Sequence, residues 1–258
     1  MIRLLLFLPL LLWGQVQELT FVAEVDGSAQ RYLLLLPPGY SPGSKRDLLI
    51  ALHGHGSDRW QFMRPTRPET RAVLDFSAKN NMILVSPDYR APTSWMGPKA
   101  EADLTQILAD LRSRFSIGKV ILSGASMGGS SALTYAVLHP SAIDGVVAMN
   151  GTANHLEYEN FQDAIQASFG GTKDRIPLEY KNRSAEYWPE RLSMPVAITA
   201  GGQDTLVPPQ SVLRLAAILQ RLGRNVLVIH RERGGHETTY EDATAALEFT
   251  LAAVRSTY

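Results

Sequence analysis

The chain has 258 residues, 45% of them hydrophobic and 19% charged, which suits one folded α/β domain or two small ones with a sizeable core. Lys plus Arg number 25 and Asp plus Glu number 25, and this zero formal charge excludes the basic footprint of a nucleic-acid binder and points to a small-molecule or neutral-polymer substrate. With no cysteine, a disulfide scaffold, a cysteine metal site and a cysteine nucleophile are all excluded. The first residues read as a separate unit: Arg3 supplies a positive start, Leu4 to Trp13 is an apolar run broken only by Pro9, and Gly14 offers a small residue before Gln15. That order is the pattern of a secretory signal peptide over residues 1–14. It predicts a secreted or periplasmic protein whose folded domain spans 15–258. The run is well short of the roughly 20 residues a spanning helix needs, so no stable membrane insertion is expected. A buried N-terminal strand or helix is the plainer alternative.

Beyond the leader, short apolar strand candidates alternate with amphipathic helix candidates. Leu19 to Val25 and Arg31 to Leu36 flank Asp26-Gly27-Ser28 and read as a hairpin. Leu48 to Leu52 is continuously apolar, as a strand buried on both faces should be, and 82–86, 119–123, 145–149, 195–200 and 226–230 repeat that character. Helices are expected over 69–79, 100–115, 127–139, 209–222 and 238–254. Ala102, Leu104, Ile107, Leu108, Leu111 and Phe115 recur at helical spacing and would face a sheet. The alternation predicts an α/β fold: a mostly parallel eight-stranded sheet with helices on both faces and an antiparallel hairpin at its start. Residues 152–194 break the pattern and are too long for a simple connection. They read as a small insertion or cap after the sixth strand, with one or two short helices near Phe161 to Ser168; a solvated excursion over the sheet is the alternative.

Gly124-Ala125-Ser126-Met127-Gly128 fits G-x-S-x-G, and here the pentapeptide follows a predicted strand and opens a predicted helix. Such a tight turn strains the serine backbone and tolerates only small neighbours, while the helix start aims free N–H groups at a developing anion. A serine hydroxyl needs an adjacent base. His236, in the loop between the last strand and the last helix, is the best-placed of the six histidines. The base needs an acid to hold its tautomer. Asp204, just after a buried strand, gives the order Ser126, Asp204, His236. Asp88 is the next-best acid, but it precedes the nucleophile and reads better as a turn or cap residue. His53-Gly54-His55-Gly56 follows the strand 48–52, and its loop should supply one oxyanion donor from His55, with Met127 supplying the other. His53 and His55 alternate as metal ligands can, but with no carboxylate or cysteine beside them no metal is called for. Trp95 and Met96, on a long loop after a strand, are candidates to bind an apolar or aromatic acyl group, or simply to cover the sheet edge.

Together, Leu52-His53-Gly54-His55-Gly56, the Ser126 turn with Gly129, Gly202-Gln203-Asp204-Thr205-Leu206-Val207-Pro208 and Gly235-His236 resemble the α/β-hydrolase superfamily over about residues 19 to 256. The finer likeness is to secreted bacterial esterases of the feruloyl and acetylxylan kind and to prolyl-oligopeptidase-type catalytic domains. That resemblance implies a triad of Ser126, Asp204 and His236, an oxyanion hole that draws on the His55 loop, no cofactor, and a small-molecule or polysaccharide-linked ester as substrate. A serine peptidase is the alternative, weakened by the lack of an obvious anionic pair to hold a peptide amino terminus. A non-catalytic binder on the same scaffold is a third reading, which the complete triad disfavours.

Overall fold

A computed structural model describes residues 16–256; the leader expected at 1–14 lies outside the described residues. The hairpin is formed by β1 (Gln17–Val22) and β2 (Ala29–Leu35). Its turn closes as the sequence suggests: the Asp26 carboxylate accepts the Ser28 amide at 3.1 Å, and Gly27 takes a left-handed φ of 71°. Six further strands follow: β3 (Arg46–Leu52), β4 (Ile83–Pro87), β5 (Ile117–Ala125), β6 (Gly145–Met149), β7 (Val196–Gly201) and β8 (Val226–Arg231). The sheet order is β1-β2-β4-β3-β5-β6-β7-β8. The β1/β2 and β2/β4 pairs are antiparallel and every other pair is parallel. This is the expected α/β sheet, with the C-terminal ends of β3, β5, β6 and β7 side by side at one edge.

Helices α1 (Pro68–Lys79), α2 (Pro98–Arg114), α3 (Met127–Leu138), α6 (Gln210–Arg221) and α7 (Tyr240–Ser256) cover the sheet, with α4 (Gln162–Phe169) and α5 (Pro177–Asn182) in the insertion. Two apolar layers result. One packs Leu104, Ile107, Leu108 and Leu111 of α2 together with α3 and α6 against the sheet; the other packs Val73, Leu74 and Phe76 of α1 against α7. Helix α3 is sunk so deep that every residue from Met127 to Val137 is buried, which its small Gly, Ser and Ala side chains permit.

Two sequence expectations change in detail. Strands β3 and β5 begin earlier than their apolar runs, because Asp47 accepts the Lys119 amide at 2.9 Å and pairs with Arg255, so polar residues are held in the ladder. Strand β8 reads as buried, yet Val226 to Ile229 are only half-buried, because β8 has a strand neighbour on one side alone. The insertion does more than shelter the sheet from solvent. Tyr158, Ile165, Phe169 and Tyr180 join the same core as Trp95 and Met96. The buried Arg183 bonds the Met96 carbonyl at 2.8 Å and pairs with Glu101 at 2.8 Å and Glu179 at 2.6 Å, tying the insertion to α2 and to the Trp95 loop.

Candidate active site

Ser126 stands alone between β5 and α3 with φ 58° and ψ −121°. A non-glycine residue there costs on the order of 1–3 kcal/mol, so its surroundings must impose the conformation. They do so through close backbone approach. The Ser126 amide donates to the Met149 carbonyl at 2.8 Å. A Cβ on Gly124 would lie 2.3 Å from the Gly128 backbone, and one on Gly128 would lie 1.9 Å from the Leu52 carbonyl oxygen. The two flanking glycines are therefore steric requirements of the turn.

The hydroxyl so presented lies 2.8 Å from His236 Nε2, and His236 Nδ1 lies 2.6 Å from Asp204 Oδ2. The other carboxylate oxygen, Oδ1, accepts the Leu206 and Val207 amides, each at 2.9 Å. Burial opposes the charge on Asp204, but the His236 hydrogen bond and the Val207 and Leu206 amides outweigh it and hold the carboxyl below its ordinary range. An ionised Asp204 takes the Nδ1 proton as its donor, which leaves Nε2 with a bare lone pair facing the Ser126 hydroxyl. That is the arrangement in which an imidazole can accept a serine proton.

The expected oxyanion donors are also laid out. Among the described residues neither the His55 nor the Met127 amide has a hydrogen-bond partner, while their neighbours are spoken for: Gly54 donates to Gln61 Oε1 at 2.7 Å, Gly56 to the Pro92 carbonyl at 2.8 Å. The buried His53 ring sets the plane of the peptide that carries the His55 N–H. Its Nδ1 is 2.8 Å from the Gly54 carbonyl and its Nε2 3.0 Å from the Asp88 carbonyl, while Tyr89 donates to the His53 carbonyl at 2.5 Å. In a trans peptide the C=O and N–H point opposite ways, so a contact that holds the Gly54 carbonyl aims the His55 amide away from it.

Other candidates fall elsewhere. The Asp88 carboxylate pairs with Arg59 at 3.0 Å, consistent with a structural role. His139 meets Glu101, His155 meets Thr134 and His230 is exposed on β8. Among the described residues no three His, Cys, Asp or Glu side chains gather as metal ligands. Trp95 and Met96 correct the sequence expectation of direct substrate contact. Both are fully buried, with left-handed φ of 45° and 55°, because the insertion closes over them. The part-exposed aromatic surface near the site belongs instead to His55 and Phe161, whose rings are 4.4 Å apart, with Trp95 behind them at 6.1 and 5.6 Å.

Sequence reasoning missed three supports. Gln61 sits in an irregular loop and carries no signal. Phe161 lies in the insertion, whose return path the sequence does not show. Asn150 had a signal, since it follows β6 at the same sheet edge as the other site residues. Its side-chain oxygen accepts from Thr238 and, at 3.3 Å, from Thr199, while its amide nitrogen donates to the Gly235 carbonyl at 3.4 Å. The loop carrying His236 is thus held on both sides of the histidine.

A family model described as the α/β hydrolase fold matches residues 47–186. The chain belongs to the α/β hydrolase fold family. This α/β hydrolase is similar to the fluorophosphonate-binding serine hydrolase F of Staphylococcus aureus, with 16% identity and a TM-score of 0.70 over 93% of this chain and 98% of that one. It is similar to an S-formylglutathione hydrolase of the same organism, with 17% identity and a TM-score of 0.71 over 93% and 98%. It is also similar to an acylaminoacyl peptidase of Pyrococcus horikoshii, with 13% identity and a TM-score of 0.71 over 95% of this chain, which spans only 43% of that one. At such identities the likeness shows the fold. A comparison with curated protein sequences finds no match.

Proposed function

We propose that this α/β hydrolase is a serine carboxylic ester hydrolase that works through an acyl-enzyme on Ser126. The observation that carries the reading is the unbroken relay from Ser126 Oγ through His236 to Asp204, at 2.8 and 2.6 Å, beside two amides that have no partner among the described residues. In this mechanism Ser126 attacks the ester carbonyl as its proton passes to His236 Nε2. Asp204 stabilises the imidazolium. The carbonyl oxygen, now an anion, lies on the His55 and Met127 amides, where each preorganised donor is worth about 10²–10³ in rate. His236 then protonates the departing alcohol, and water releases the acid by the reverse course.

Short or aromatic acyl esters, including those of feruloyl or acetyl type on small molecules or polysaccharides, suit the His55–Phe161 surface. Export is supported by the leader pattern of residues 1–14, and the exported protein should begin near Gln15. A fluorophosphonate probe should label the wild type and leave Ser126→Ala unlabelled; labelling that survives the substitution removes Ser126 as the nucleophile. Turnover of p-nitrophenyl esters beside dipeptide anilides decides between esterase and peptidase, and a preference for the anilides overturns the esterase reading.

A further inference from the structure

The His55 side chain has a role that its amide does not explain. Trp95 Nε1 lies 3.3 Å from His55 Nδ1. An indole N–H can only donate, so the ring atom that faces it must be a nitrogen with a free lone pair. That fixes both the ring's orientation and its tautomer: Nδ1 is bare, and the proton of the neutral imidazole sits on Nε2. Burial pushes the His55 pKa down and favours this neutral form. Among the described residues Nε2 has no hydrogen-bond partner, and it is not one of the buried polar atoms left without one, so it opens to solvent. The outcome is an N–H donor on the same residue whose backbone amide the ester-hydrolase reading assigns to the oxyanion. Phe161 packs on the ring at 4.4 Å and Trp95 backs it, which keeps the donor from swinging away. Both supports hold left-handed backbone conformations, φ 55° at Phe161 and 45° at Trp95. Such strain survives only where the surroundings impose it.

We propose that the His55 imidazole is a specificity-determining donor, set in its Nε2–H form by Trp95, and that it selects esters carrying a second oxygen acceptor a few bonds from the scissile carbonyl. This rests on the ester-hydrolase reading. The buried indole that the sequence suggests as a contact residue thereby acts through its neighbour. If His55 served only to satisfy the Trp95 N–H, its replacement would change stability and leave substrate preference alone.

Two matched pairs of p-nitrophenyl esters test the proposal: methoxyacetate against butanoate, and 4-oxopentanoate against 4-methylpentanoate. Intrinsic reactivity cancels when the kcat/KM ratio within each pair is compared between wild type and variant. One net hydrogen bond corresponds to a preference of about fivefold to tenfold. That preference should vanish in His55→Phe for at least one pair, mainly through KM, and shrink in Trp95→Phe, where the tautomer is no longer imposed. Ratios unchanged in His55→Phe for both pairs overturn the proposal. A nitrogen NMR spectrum of the wild-type imidazoles reads the tautomer without any turnover, so it still decides if Trp95→Phe fails to fold. An Nδ1–H form at His55 refutes the argument, whereas failure of the wild type to hydrolyse any of the four esters counts against the ester-hydrolase reading instead.

Discussion

Replacement of Gly128 by Ala tests whether the turn, the strand end and the oxyanion site form one steric unit. The added Cβ would lie 1.9 Å from the Leu52 carbonyl oxygen and 2.9 Å from the His53 carbonyl oxygen. The nearer contact falls about 1.6 Å short of ordinary approach, which is roughly 3.5 Å. Both neighbours are backbone, so no side chain can swing clear, and α3 must move away from the end of β3. Helix propensity alone favours alanine by about 1 kcal/mol. Overpacking costs roughly 1–3 kcal/mol, and the backbone clash puts this site at the upper end of that range. The net loss of about 1–2 kcal/mol lowers Tm by several degrees, at roughly 2–4 °C per kcal/mol for a chain of this size. Catalysis suffers more. Met127 rides on α3 and His55 on the loop after β3, so the movement that relieves the clash separates the two amides proposed to hold the oxyanion. Misplacement by about 1 Å costs on the order of 10²-fold. Steady-state hydrolysis of a p-nitrophenyl ester, with a thermal melt on the same sample, should show kcat reduced about 100-fold in a folded protein. A folded Gly128→Ala enzyme with kcat within about threefold of wild type would falsify the coupling.

Asn150→Ala removes the bonds that bracket His236, so kcat should fall about tenfold or more with KM little changed, at a stability cost of roughly 1–3 kcal/mol for the polar groups left behind; an equal change in both kinetic constants would argue against a positioning role. Arg183→Ala leaves Glu101 only its His139 contact and removes the Arg183 partner of Glu179 and the Met96 carbonyl, which should cost about 3–5 kcal/mol and open the insertion to limited proteolysis, whereas an unchanged cleavage pattern would mean the insertion is held without Arg183. Burial opposes the Asp204 charge, but the His236, Val207 and Leu206 hydrogen bonds hold its carboxyl below the ordinary range in the folded state. Its contribution is therefore present above the unfolded value of about 3.9 and is lost as pH falls through the lower folded one. Urea denaturation across pH should show wild type gaining on Asp204→Asn between acid and neutral pH, and a gap that stays flat contradicts the assignment.

Much of this candidate site was legible before any tertiary contact was known, for a physical reason. In a parallel sheet every strand delivers its C-terminal residue to the same edge, so Ser126, Asp204, His236 and the His53–Gly56 loop could be matched to strand ends by counting along the chain. The glycines at 124 and 128 were equally readable, because a turn that brings backbones this close leaves no room for a Cβ.

What chain order does not carry is how two loops meet. Nothing local to Trp95 distinguishes a residue that lines a cleft from one that is covered. It is buried because residues 152–194 fold back, bring Phe161 against His55 and lock the fold-back with Arg183. Asn150 is a support for the same reason, because it acts on Gly235 and Thr238 far along the chain, whereas Gln61 reaches the nearby Gly54 amide only through the path of an irregular loop. The edge position of β8 is likewise a property of the assembled sheet, invisible in an apolar run that reads like the buried strands. Chain order and apolar patterning carried the sheet and the candidate groups Ser126, Asp204 and His236. Which surfaces flank Ser126 depended on tertiary packing, because those surfaces exist only once the insertion has closed over the Trp95 loop.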